Sequence, residues 1–90
     1  MSDSQIAQLR TAIDQVDEQI FSLIARRLEL ASLVGEQKRV AGTPIAQSER
    51  EAQVRSAVSR TAADLGIDAV VADGIITQLI SASRSRQMQE

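Results

Sequence analysis

From Ser4 to about Val40 the chain contains no proline and one glycine, Gly35, while apolar residues recur at Ile6, Leu9, Ile13, Val16, Ile20, Leu23, Ile24, Leu30 and Val34. Steps of three and four are the signature of one helical face, so this stretch predicts a single long helix. At 1.5 Å per residue such a helix reaches roughly 55 Å. A compact domain of 90 residues has a radius of gyration of only about 12 Å. The helix therefore has to overhang the rest of its own chain. Its overhanging apolar stripe needs cover, and the commonest cover is an identical chain related by a two-fold axis. A homodimer is the expectation from helix length alone.

The breaker that ends this helix is Ala41-Gly42-Thr43-Pro44, because glycine suits a helix end and proline pushes the preceding residue out of the α region. Ser48-Glu49-Arg50-Glu51 reads as a capping box opening a second helix, with Val54, Val58 and Leu65 at helical spacing and Gly66 closing it. Asp68 caps a third helix carrying Val71, Ile75, Ile76, Leu79 and Ile80, and running on through Ser83 and Gln87. The expected fold is all-α, with three helices per chain in an intertwined homodimeric bundle and one domain over 1–90. Composition agrees: the chain is 43% hydrophobic but only 1% aromatic, with Phe21 as the one aromatic, so packing falls to Ile, Leu, Val and Ala.

Several functions are excluded by what the chain lacks. It has no cysteine and no histidine, which removes disulfides, thiolate nucleophiles and the usual zinc ligands; no metal and no cofactor are expected. A net charge of −2, from 10 basic and 12 acidic residues, provides no basic field for nucleic acid. No apolar run approaches the ~20 residues of a membrane span, and MSDSQ does not open like a signal peptide. A cytoplasmic protein is expected, with no nucleic-acid or membrane partner.

All three apolar stripes turn polar at inward positions, which costs free energy unless each group finds a partner. On the first helix the series Ile13, Val16, Ile20, Leu23 is followed by Arg27, then by Leu30 and Val34, with Lys38 one turn further on. Arg27 and Lys38 are eleven residues apart, about three turns, and project from nearly the same side. Arg50 and Glu51 precede Val54 by four and three residues, and Ser83 and Gln87 succeed Ile76 and Ile80. Helical pitch thus permits a pocket lined by Arg27, Lys38, Arg50, Glu51, Ser83 and Gln87, suited to a small dianion carrying hydroxyl or ether oxygens. Each residue also has a plainer use. Arg27 and Lys38 can snorkel or pair between subunits, Glu51 can serve only the capping box, and Arg10 can pair with Asp14 on an exposed face.

The ordered set Leu9-Arg10-x-x-Ile13-Asp14-x-x-Asp17, Arg27, Lys38, Pro44, Arg50-Glu51, Ser83 and Gln87 resembles the all-α chorismate mutases over nearly the whole chain. The resemblance implies an intertwined dimer and a small-molecule substrate, chorismate or a close analogue. It implies that Arg27 and Arg50 hold substrate carboxylates with help from Ser83, and that Arg10 reaches over from the partner protomer. Lys38 and Gln87 would bracket the breaking ether oxygen, and Glu51 would accept a hydrogen bond from the ring hydroxyl. Gln47 stands where the family has aspartate and is carried as a further binder. The catalytic set is then Lys38, Gln87, Glu51 and Arg27.

The implied reaction, chorismate to prephenate in aromatic amino-acid biosynthesis, is a concerted rearrangement that needs no nucleophile or proton shuttle. A chain without His or Cys can perform it by shape and fixed charge. Three other readings stay open. Isochorismate-pyruvate lyases share the fold but lack a glutamate matching Glu51, and mutases of 4-amino-4-deoxychorismate also have glutamine at the Gln47 position. A non-catalytic helical dimerisation module is the third.

Overall fold

A computed structural model describes residues 2–45 and 47–89 of the chain, as three helices: α1 (Asp3–Ala41), α2 (Ser48–Leu65) and α3 (Ala69–Gln87). The all-α expectation holds, with no strand among the described residues. Helix α1 starts where Ser2 and Gln5 form a capping box: Gln5 N–H donates to Ser2 Oγ at 3.2 Å, and Ser2 N–H donates to Gln5 Oε1 at 2.9 Å. It ends at Gly42, whose φ of 71° lies in the left-handed region that glycine enters without steric cost. Gly66 ends α2 in the same way at φ 72°. Asp68 caps α3 as expected, its carboxylate accepting from the N–H groups of Val70 and Val71.

The capping box expected at Ser48 does not form. Gln47 occupies the cap position in extended backbone with no side-chain cap hydrogen bond, and Ser48 is already the first helical residue. Glu51 thereby moves one place past the position from which it would reach back to the cap, and its carboxylate turns to α3 instead. The Arg10–Asp14 ion pair expected on α1 is also absent; among the described residues the ion pairs are Arg55–Asp73 and Glu51–Arg84.

Helix α3 packs against both α1 and α2, whereas α1 and α2 do not pack on each other. Where helices meet, the buried residues are mostly small: Ala31 and Gly35 on α1, Ala62 on α2, and Ala72, Ile76, Ile80 and Ser83 on α3. Gly35 marks the tightest approach. A Cβ added there would sit 2.6 Å from Gln87 Cα and 2.7 Å from Gln87 O, closer than real side chains come.

The overhang is as long as the periodicity predicts. The molecule measures 59 × 26 × 15 Å with a radius of gyration of 16.9 Å, well above the ~12 Å of a compact chain this size. No residue of α1 before Ala31 is buried, and the stripe residues Leu9, Ile13, Val16 and Ile20 are about half exposed, from 46% to 57%. Phe21 is exposed as well. Among the described residues no helix is long and apolar enough to cross a membrane.

Candidate active site

Because α1 and α2 both lean on α3 and not on each other, a cleft of ≈ 410 Å³ is left between them. That volume lies in the range of small-molecule sites. Its walls are Arg27, Leu30, Ala31, Val34 and Lys38 from α1, Ile45 and Gln47 from the connection, Arg50, Glu51 and Val54 from α2, and Ile80, Ser83, Arg84 and Gln87 from α3. Every residue expected at the site from the sequence therefore lines this one cleft, Arg10 excepted. Arg10 is exposed on the overhang, seventeen residues before Arg27 on α1, about 25 Å along the helix. Within one chain it cannot reach the cleft.

At the deep end, Arg27 donates from Nη1 to the Leu79 carbonyl at 3.3 Å and to Ser83 Oγ. Ser83 is the one buried polar side chain among the described residues, and Arg27 satisfies it. Arg27 is thus held against α3, with its remaining N–H groups available to a carboxylate.

Lys38 Nζ donates to the Ile45 carbonyl at 2.7 Å and to Gln87 Oε1 at 2.9 Å. An ammonium has three N–H donors, so one remains for a ligand. The same contact orients the Gln87 amide: with Oε1 turned to Lys38, the two Nε2 hydrogens are left to donate elsewhere. Gln87 is anchored from behind by Arg39, whose Nη1 donates to the Gln87 carbonyl at 2.9 Å, and by the backbone contact with Gly35. The cleft thereby offers two adjacent donors fixed by hydrogen bonds before any ligand arrives, one of them charged.

At the opposite wall Arg84 grips Glu51 through two nitrogens. Its Nε donates to Oε2 at 2.8 Å, and its Nη2 donates to both carboxylate oxygens. Hydrogen bonding from Arg84 holds the Glu51 carboxyl below its ordinary value of 4.5; the charges of Arg84, Arg55 and Lys38 add to this and partial burial opposes it. Arg50 and Gln47 line the cleft from exposed positions. Gln47 makes no capping hydrogen bond, so its amide is uncommitted to the helix end.

Three contributors were not read from the sequence. Arg84 directly follows Ser83, which the stripe already claims, yet it lies four residues after Ile80 and three before Gln87, a spacing that does belong to the α3 stripe. Arg39 and Gly35 act through the Gln87 backbone, and periodicity carries no signal for that. Among the described residues no group of His, Cys, Asp or Glu is placed to hold a metal ion.

The fold and cleft together define a three-helix module whose cleft is lined with Arg, Lys and amide donors. The chain belongs to the family described as chorismate mutase type II, whose profile matches residues 9–88. It is 34% identical over 80 residues to the T-protein of Enterobacter agglomerans, covering 89% of this chain and 21% of that protein. It therefore spans about a fifth of the T-proteins it matches. The protein named chorismate mutase from Methanocaldococcus jannaschii is 32% identical over 85 residues, covering 94% of this chain and 86% of that protein. The 4-amino-4-deoxychorismate mutase of Streptomyces pristinaespiralis is 38% identical over 60 residues, covering 67% of this chain and 46% of that protein. A solved structure of a conserved hypothetical protein from Pyrococcus furiosus superposes with a TM-score of 0.73 at 29% identity, covering 96% of this chain and 99% of that one.

Proposed function

We propose that the chain is a chorismate mutase that rearranges chorismate to prephenate, as a step in cytoplasmic aromatic amino-acid biosynthesis. The observation that carries this reading is the pair Lys38 and Gln87, joined at 2.9 Å within a cleft also lined by Arg27, Arg50 and Ser83. In the rearrangement the ether carbon–oxygen bond stretches while a new carbon–carbon bond forms, and negative charge develops on the ether oxygen. The free N–H of Lys38 and the Nε2 of Gln87 meet that oxygen. Donors already fixed in place stabilise charge without reorganising, which is the largest single contribution in many enzymes. Arg27 and Arg50 take the two carboxylates and hold the substrate in the compact conformer from which the carbons react. Glu51 accepts a hydrogen bond from the ring hydroxyl, with Gln47 beside it.

Arg10 completes the site from a second copy of the chain. The half-exposed stripe Leu9, Ile13, Val16 and Ile20 lies on the same overhang, and a two-fold pairing that covers it carries Arg10 toward the partner's cleft. A second reading, a mutase acting on 4-amino-4-deoxychorismate, is favoured by Gln47 and by the Streptomyces pristinaespiralis relative of that name. The lyase reading is disfavoured by Glu51, which lines the cleft.

The test is to offer purified protein chorismate, isochorismate and 4-amino-4-deoxychorismate in turn and to identify each product. Prephenate from chorismate is expected; its absence refutes the proposal.

A further inference from the structure

Among the charged residues lining the cleft, Arg84 is the one the proposed chemistry does not use. Four of these residues are cations, Arg27, Lys38, Arg50 and Arg84, and Glu51 alone is acidic. Arg84 binds this single carboxylate with two nitrogens and touches both of its oxygens. The Arg84 side chain is 49% exposed and that of Glu51 is 21% exposed, so the guanidinium sits toward the mouth and the carboxylate inside it. Glu51 is further faced by Lys38 from α1 and Arg55 from α2.

We infer that Arg84 is a specificity-determining residue that makes Glu51 select an uncharged hydroxyl, rather than an ammonium, on the substrate ring. The inference rests on the mutase reading and addresses its open substituent. An ionised carboxylate has about four acceptor sites, and a bidentate guanidinium leaves some of them free. A ring hydroxyl donates to one at no electrostatic cost. A ring ammonium approaching the same oxygens comes up against the Arg84 guanidinium at close range, in a cleft whose other charged walls are all cationic. Like charges so placed penalise the wrong ligand. Without Arg84 the Glu51 carboxylate loses its ion-pair partner, keeps only the looser influence of Lys38 and Arg55, and becomes a better partner for an ammonium. Gln47, uncharged, does not alter this balance.

The experiment is a competition between chorismate and 4-amino-4-deoxychorismate at pH 7, with both products quantified by mass spectrometry, for the wild-type protein and for Arg84→Gln and Arg84→Lys. Wild type is expected to prefer chorismate. Arg84→Gln is expected to shift the ratio of the two kcat/KM values at least tenfold toward the amine, and Arg84→Lys, which keeps the charge, to shift it less. The ratio cancels any general loss of folding or turnover. An independent readout needs no variant: as pH rises through the amine's own pKa, wild-type discrimination against it should fall. A shift below tenfold in Arg84→Gln, or a wild-type preference for the amine, overturns the inference and leaves the mutase reading standing. Failure of the wild type to convert chorismate at all removes that reading, and the inference with it.

Discussion

Lys38 donates two of its three N–H bonds inside the chain, to Ile45 O and to Gln87 Oε1, and the third is the one a ligand meets. Lys38→Ala removes the only charged donor at the proposed ether oxygen. Turnover should fall by about two to three orders of magnitude, as when a preorganised oxyanion donor is lost, while the circular dichroism spectrum stays helical. A variant with undiminished turnover would refute the role, and one that unfolds would mean that Lys38 acts structurally. Gln87 donates through an amide that does not titrate. Glu51, held below 4.5 mainly by its hydrogen bonds from Arg84, stays ionised above that pH. Because its folded pKa is depressed, the pair's contribution is complete above the ordinary carboxylate range and is lost as pH falls through the lowered folded value. The kcat of the wild type should therefore be nearly flat from pH 5 to 8. Gln87→Glu should instead lose activity steadily as pH rises across that window, since a carboxyl donates only when protonated. A pH–rate profile of both proteins checks this, and a steep fall in the wild type would count against the amide as donor.

At the scale of elements, α1 and α3 meet where Gly35 lies against the Gln87 backbone, one turn before Lys38. Gly35→Ala would place a Cβ 2.6 Å from Gln87 Cα, so the end of α3 must move. Forcing a methyl group into a packed contact costs about 1–3 kcal/mol, offset in part by the better helix propensity of alanine. Thermal melting should show a net destabilisation, and kcat should fall further than the melt alone explains because Gln87 is displaced from Lys38. Equal kcat at a temperature where both proteins are folded would show that the contact does not position the amide. The sequence made much of this level legible. Three helices, the left-handed glycines at 42 and 66 and the Asp68 cap follow from local chemistry, and Arg27, Lys38, Glu51, Ser83 and Gln87 follow from helical pitch. The one-residue difference at the start of α2 was not legible, because local chemistry favours Ser48 as the cap, whereas Gln47 holds that position without a side-chain hydrogen bond. That shift sends Glu51 across to Arg84. Helical pitch also could not reveal the pairing itself, which joins residues 33 positions apart on different helices.

At the scale of the whole molecule, the proposed two-fold pairing places Lys38 of one chain and Arg10 of the other in the same site. Arg10→Ala and Lys38→Ala should each be nearly inactive alone. Mixed in equal amounts, unfolded and refolded together, half of the dimers are expected to be mixed, and each of these holds one intact site. The mixture should then regain about a quarter of wild-type activity, as a two-fold assembly with shared sites requires. A mixture no more active than its components would exclude a shared site. The overhang of α1 has a further consequence for how such a protein behaves in a cell. Under the proposed pairing a monomer with an incomplete cleft would be a dormant precursor, and activity per chain would be set by abundance: scarce chains would idle, and output would rise faster than expression until pairing saturates.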